Sequence, residues 1–273
     1  MTLICTDFDM KRFKFESRGE QTFKRSTLCV FYLLLMLQGF FGATLRAEQA
    51  NVAVAANFTE AAREIGRAFE AQSGHTLILS FGSTGQIYTQ ISQAAPFDVF
   101  LAADQARPGR AIDEGFALAQ SRFTYAVGQL ALYSANPDLR IDSTVLRSDN
   151  FTRLAIANPE TAPYGQAAIE YLRNIGLHDV LKKKLVLGAN ISQTMQFVAT
   201  GNAELGIVAS AQIATHKLGS HWIVPQDLHN MIAQDAVLLT PARKNSAAIE
   251  FMEFLAGDMA NDIKLRFGYL VAP

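Results

Sequence analysis

Phe81-Gly82-Ser83-Thr84-Gly85-Gln86 joins a short apolar run, Leu77-Ile78-Leu79-Ser80, to a segment in which Ile87, Ile91, Ala94 and Ala95 recur at helical spacing. The run before it reads as a strand and the segment after it as a helix. The glycines and hydroxyls therefore fall at a strand-to-helix turn. Backbone N–H groups and the positive end of a helix dipole converge at such a turn, which suits an anion. Gly82 and Gly85 let backbone approach a ligand closely. The closing lysine of a phosphate-binding P-loop is missing, and the spacing does not match the G-x-S-x-G nucleophile elbow. Ser83 with Gln86 three residues on also fits a capping box, so the stretch alone leaves an anion site and an ordinary capped helix both open.

Outward from this turn the same rhythm repeats. Asn51 to Ala56 is an apolar strand candidate, buried on both faces. Asn57 reads as the cap of the helix that follows, with Glu60 three residues later and a stripe of Phe58, Ala61, Ala62, Ile65, Ala68 and Phe69. Phe97 to Ala102 is a third strand, followed by a helix over about 105–114. The alternation predicts a parallel sheet with helices on its faces. The longer β-rich stretch from Phe123 to Tyr133 leaves this sheet for another. A second alternating block then begins, with strands at Leu154 to Ala157, Leu185 to Leu187 and Leu205 to Ala209. Its helices open near Tyr164 and after Asn190. Met231 to Leu239 is a return crossing, and two amphipathic helices finish the chain. The expected architecture is α/β and two-lobed, each lobe a mostly parallel sheet flanked by helices, with a ligand cleft between them.

The first 47 residues read differently. Lys11, Arg12, Lys14, Arg18, Lys24 and Arg25 precede an unbroken apolar run from Leu28 to Leu37, and small residues lead to Ala47. This is the layout of a cleavable signal peptide, with a membrane anchor as the alternative and Met10 as an alternative start. It predicts residues 1–47 as leader, 48–128 with 235–273 as one lobe, and 129–234 as the other. Both cysteines, Cys5 and Cys29, lie in the leader, so the mature chain offers no disulfide, cysteine-zinc site or thiol nucleophile. The leader carries seven basic and four acidic residues, which leaves a mature net charge of −4. A mildly acidic chain without a basic cluster argues against a nucleic-acid partner. The triplet Lys182-Lys183-Lys184 reads as a solvated helix end.

Four turns share one chemistry. Asn57, Ser83-Thr84, Tyr164-Gly165 and Asn190-Ile191-Ser192 each follow a strand and open a helix, and none contains a lysine or arginine. If both sheets present these edges to the cleft, an anion there is held by N–H groups, hydroxyls and dipoles alone. Catalytic and metal readings are weaker. No H-E-x-x-H occurs, His216 and His221 are not spaced as a helical ligand pair, and the histidines read as surface or loop residues. Asp98 and Asp104 bracket a strand, either as a carboxylate pair or as a strand-start residue and a helix cap.

From about Val52 onward the chain resembles the molybdate-binding proteins of bacterial ABC importers. The stretches that carry the resemblance are Val54 to Thr59, Ser80 to Gly85, Pro96 to Asp104, Asn158 to Gly165, Leu205 to Val208 and Phe267-Gly268-Tyr269, in that order. It implies a periplasmic binding protein of type II-like fold that closes on molybdate or tungstate. It implies delivery to a permease and its ATPase, action as a monomer, no cofactor and no catalysis. The implied oxyanion ligands are Asn57, Ser83, Thr84, Tyr164 and Ile191. One subset of the family uses a tyrosine just after Gly-Ile-Val, where this chain has Ala209; Tyr164 stands in for it from another direction. The competing readings are a binder of sulfate, phosphate or a small organic anion, a secreted hydrolase using Ser83 or Thr84, and a sensing domain of a regulator. The last two lack, respectively, an evident base and a DNA-binding helix pair.

Overall fold

Strand register sets where the helix starts fall. β1 (Gln49–Ala55) is a central strand whose Val52, Ala53 and Val54 are fully buried. Val52 and Val54 enter one apolar cluster and Ala53 another, so β1 is covered on both faces. It pairs in parallel with β2 (Thr76–Gly82), ending on the pair Ala55–Gly82. The turns after these two strands therefore stand side by side. The computed structural model describes residues 47–214 and 219–270; the expected leader with its cysteines, and His216, lie outside them.

The first sheet has the order β2-β1-β3-β10-β4, with β3 at Val99–Leu101, β4 at Phe123–Gly128 and β10 at Ile232–Leu238. β3 is parallel to β1, whereas β10 runs antiparallel to both β3 and β4. Only Gln129 separates β4 from β5 (Leu130–Ser134), which belongs to the second sheet. That sheet has the order β7-β6-β8-β5-β9. Its other strands are β6 (Leu154–Ala157), β7 (Leu185–Gly188), β8 (Leu205–Ala209) and β9 (Ser220–Ile223). β6 and β7 end on the parallel pair Ala157–Gly188, which sets a second pair of turns side by side. The whole of β10 pairs in the first sheet, so the return crossing precedes Ile232, earlier than the boundary expected at 235.

Helices cover the sheets. α1 (Thr59–Ser73) buries Ala61, Ala62, Ile65 and Phe69, with α6 (Ser246–Ala256) and α7 (Asp258–Arg266) in the same core. α2 (Thr84–Ser92) and α3 (Ala106–Asp113) cover the opposite face with Ile87, Ile91 and Ala111. In the second lobe α4 (Pro163–Asn174) packs Tyr164, Ala168, Tyr171 and Leu172 on one face. α5 (Ile191–Ala199) packs Met195 and Val198 on the other. Fully burying side chains of this size contributes about 1.5–3 kcal/mol each. Among the described residues no helix is long and apolar enough to cross a membrane.

Some local expectations are corrected. Asn57 does not cap α1: it lies within a 3-10 turn, Ala56–Phe58, and Phe58 occupies the cap position. Its amide has better partners inside, as described below. His75 and His229 lie in loops, one of the two expected placements, but are buried there. His75 Nδ1 accepts the Glu48 N–H at 3.0 Å, an interior role in a loop. β9 was not legible as a strand, because its Ser220-His221-Trp222-Ile223 alternates weakly at a sheet edge.

Candidate functional site

The two pairs of turns face each other across one cavity of about 200 Å³, its open mouth included. It is lined by Asn57 and Ser83-Thr84 from the first lobe and by Tyr164 and Asn190-Ile191 from the second, with small apolar residues and Pro163 between them. All five residues singled out from the sequence therefore meet in one place. No charged side chain lines the cavity. A larger hollow of about 690 Å³ shares Ala56 and Asn57 with it, but includes the Glu60 carboxylate and apolar Met195 and Phe267.

Each helix start offers a donor. Asn57, Thr84, Tyr164 and Ile191 sit in the first turns of their helices, where no carbonyl lies one turn back to receive their N–H groups. The next donors along are already used. Ser83 Oγ accepts the Gln86 N–H at 3.4 Å, and Asn190 Oδ1 accepts the Gln193 N–H at 3.0 Å. Pro163 opens α4 at a position whose N–H would have no partner within the helix.

The hydroxyls are set to give rather than take. Thr84 Oγ1 accepts the Ala103 N–H at 3.0 Å, and Ser83 Oγ accepts as above. The Tyr164 hydroxyl accepts from Gln234 Nε2 at 3.4 Å. With an N–H already directed at each oxygen, the hydroxyl proton is free to be donated to the cavity. Burial holds the Tyr164 phenol above its ordinary pKa, partly offset by the neighbouring Gln234 and Asn57 amides, so it keeps its proton at neutral pH.

Asn57 contributes differently from the sequence expectation. Its Nδ2 donates to Gln234 Oε1 at 2.8 Å and to the Tyr269 hydroxyl at 3.2 Å, while that hydroxyl donates to the Asn57 carbonyl at 2.7 Å. The side-chain amide is directed into a buried network, and the backbone N–H is what Asn57 has left for the cavity. Burial raises the Tyr125 and Tyr269 phenols as well, so the network is neutral throughout. Ala209 is fully buried at the end of β8 and does not line the cavity.

The lobes are in contact around this site. The Gly85 N–H donates to the Thr161 carbonyl at 2.9 Å, and Ser192 Oγ donates to the Ala56 carbonyl at 3.1 Å. Arg107, held by Asp104, donates from Nη2 to the Glu160 carbonyl at 3.2 Å. A Cβ on Gly85 would stand 3.0 Å from the Thr161 carbonyl oxygen, so this residue is where backbone meets backbone across the cleft. Asp98 accepts from the Asn51 backbone at 2.7 Å, and Asp104 accepts the Arg107 N–H at 2.9 Å, so the two carboxylates serve separate partners. Among the described residues no group of His, Cys, Asp and Glu is arranged to hold a metal ion.

Reading the turns misses Gln234, Tyr125, Gly128 and Arg107. Gln234 and Asp235 did leave a trace, as two polar residues inside the otherwise apolar run of β10.

A two-lobed α/β fold with a polar, uncharged cavity between opposed helix starts defines an extracytoplasmic binding protein for a small solute. The chain belongs to the family of bacterial extracellular solute-binding proteins, whose model matches residues 50–270. Within that family it is 49% identical over 226 residues to the molybdate-binding protein ModA of Rhodobacter capsulatus, covering 82% of this chain and 89% of that one. It is also 49% identical over 235 residues to the ModA of Azotobacter vinelandii, covering 85% and 93%. The solved periplasmic molybdate-binding protein of Azotobacter vinelandii superposes with a TM-score of 0.79 at 37% identity, over 82% of this chain and all of that one.

Proposed function

We propose that this chain is the solute-binding component of a bacterial ABC importer, capturing molybdate or tungstate between its lobes for a membrane permease and its ATPase. The observation that carries the reading is the single cavity in which four helix starts meet without a charged side chain. Its proposed ligands are the N–H groups of Asn57, Thr84, Tyr164 and Ile191 and the hydroxyls of Ser83, Thr84 and Tyr164. Relatives at 49% identity that carry the name molybdate-binding support it. Residues 48–128 and 235–273 would form one lobe and 129–234 the other, and the pairing of β10 with β4 supports counting Ile232 to Gln234 with the first. The protein acts in the periplasm after loss of a leader over residues 1–47, as a monomer, without a cofactor and without catalysis.

The selectivity follows from proton counting. Molybdate and tungstate are fully deprotonated at neutral pH and only accept hydrogen bonds. Phosphate keeps a proton, and no carboxylate lines the cavity to accept it. Leaving that proton unpaired costs about 1–3 kcal/mol. Sulfate obeys the same rule as molybdate, so only the size of the cage rejects it: a smaller ion stretches several contacts at once. Calorimetric titration of the mature chain with molybdate, tungstate, sulfate and phosphate tests the reading. Tight binding of the first two with weak or no binding of phosphate is expected. Phosphate binding as tightly as molybdate, or no binding of any oxyanion, would overturn it.

A further inference from the structure

Gln234 lies at the centre of the structure's buried polar network, yet it does not line the cavity. It is fully buried on the return crossing β10, at the point where the β10–β4 pairing is interrupted by an irregularity between Gln234 and Asp235. Such a bulge re-aims neighbouring side chains. Asp235 turns to Arg122 Nε at 2.6 Å and to the Thr124 hydroxyl at 2.7 Å. Gln234 turns to the network behind the cavity.

The amide of Gln234 has one orientation open to it. Its Oε1 accepts from Asn57 Nδ2 at 2.8 Å and from the Tyr125 hydroxyl at 3.0 Å. The single Tyr125 proton is also within reach of the Ala102 carbonyl at 3.2 Å, so Asn57 Nδ2, itself oriented by the Tyr269 hydroxyl, fixes which end of the amide is which, and Nε2 is left facing the Tyr164 hydroxyl at 3.4 Å. Gly128, opposite, leaves room for this meeting: a Cβ there would stand 2.0 Å from the Tyr164 hydroxyl and 2.7 Å from Gln234 Nε2. Tyr164 belongs to the second lobe, while Gln234, Asn57 and Tyr125 are held with the first sheet. The Gln234–Tyr164 contact therefore joins the lobes behind the cavity.

We infer that Gln234 is a positioning residue for the oxyanion: by donating to the Tyr164 oxygen it makes that hydroxyl a donor toward the cavity. The reasoning is one of proton direction. A phenol has one proton. Were Gln234 an acceptor at that position, the phenol would donate to it and turn a lone pair to the ligand, which a dianion repels. Because Gln234 donates, and among the described residues no acceptor takes the Tyr164 proton, the proton goes to the oxyanion when the lobes close. Gln234 thus helps set which ions the site accepts without touching any of them. This inference rests on the oxyanion reading proposed above.

The test is a double-mutant cycle read by calorimetry with molybdate. In the native background Gln234→Met removes the donor and should weaken binding about 10-fold or more, the lower end for a hydrogen bond to a charged group. In the Tyr164→Phe background the same substitution should change the dissociation constant by no more than about twofold, the margin within which uncoupled effects agree. Gln234→Glu adds a readout that general loosening would not move. Its carboxyl accepts from Asn57 and Tyr125 as before but donates to Tyr164 only when protonated. Molybdate affinity should therefore fall between about pH 6 and about pH 9 in this variant, while the native protein stays level. Equal losses from Gln234→Met in both backgrounds, or a level pH profile for Gln234→Glu, overturn the inference. If Gln234→Met does not fold, the pH profile decides alone. Native protein that binds no molybdate sinks the oxyanion reading itself, so the two failures are distinguishable.

Discussion

Replacing Gly128 by alanine puts a methyl group where two side chains already stand. The added Cβ would lie 2.0 Å from the Tyr164 hydroxyl, 2.9 Å from its Cζ and 2.7 Å from Gln234 Nε2. None of these separations is tolerable, so something must move. Gln234 is pinned by Asn57 and Tyr125, and the backbone of Gly128 is pinned by its pairing with Ile232. Tyr164 is the mobile party, because it arrives on α4 from the other side of the crossing. Opening the lobes withdraws its hydroxyl and relieves that part of the clash, whereas the approach to Gln234, within the same sheet, remains in the open state. The Tyr164 share of the strain therefore falls on the closed, ligand-bound state. Overpacking of this kind costs about 1–3 kcal/mol, which as a loss of affinity is roughly 5- to 150-fold. Calorimetry with molybdate measures the loss, and small-angle scattering shows whether saturating ligand still compacts the chain. The melting temperature without ligand should also fall, because the open state keeps the contact with Gln234. A Gly128→Ala protein that binds molybdate within about twofold of native would refute the assignment of Tyr164 to the closing contact.

Thr84→Ala removes a buried hydroxyl proposed to bond a charged oxyanion, and should cost about 1.5–3 kcal/mol, or roughly 10- to 150-fold in molybdate affinity. Lys183→Ala, in the exposed turn after α4, should leave it unchanged; equal effects would argue against the site. Molybdate at 100 times its dissociation constant should add about 2.7 kcal/mol to unfolding stability, and a melting temperature that ignores saturating molybdate would count against binding. Lys264 is 2% exposed and donates to the Tyr125 and Leu255 carbonyls, and burial lowers its pKa to about 8. The unfolded chain holds that proton to higher pH, so stability should rise between about pH 8 and 10 by roughly 1–3 kcal/mol. Above about pH 10 it should fall, because the unfolded chain loses phenol protons that buried Tyr125, Tyr164 and Tyr269 retain. Urea midpoints across this range would show a maximum, and a level profile would refute the account.

Strand-to-helix turns were legible because their chemistry is local. Ser83 caps α2 three residues before Gln86, Pro163 opens α4 and Asn190 caps α5, and each is decided within one turn of chain. Asn57 misled for the opposite reason. Its spacing to Glu60 fits a cap, but Gln234 and Tyr269 are far along the chain and nearby in space, and they offered its amide a buried bond at 2.8 Å and another at 3.2 Å. A solvent-facing cap contact does not compete with partners in a site that water cannot reach. Gln234 itself was hidden by the same distance. Two polar residues in a buried strand signal a network, but only the fold says which groups it serves.

The absence of a cation from the cavity bears on release as much as on capture. A lysine or arginine buried there would hold a dianion strongly, and would be left as an uncompensated buried charge each time the ligand departed. Backbone N–H groups and hydroxyls carry partial charges that water can satisfy once the lobes part. Arg107 sits at the cleft with Asp104 already paired to it, so it steadies the Glu160 carbonyl without adding net charge to the site. The same donors that hold the ion tightly in a dry, closed cleft lose their advantage when water enters. A transport protein has to let go, and a neutral cage makes letting go a matter of opening.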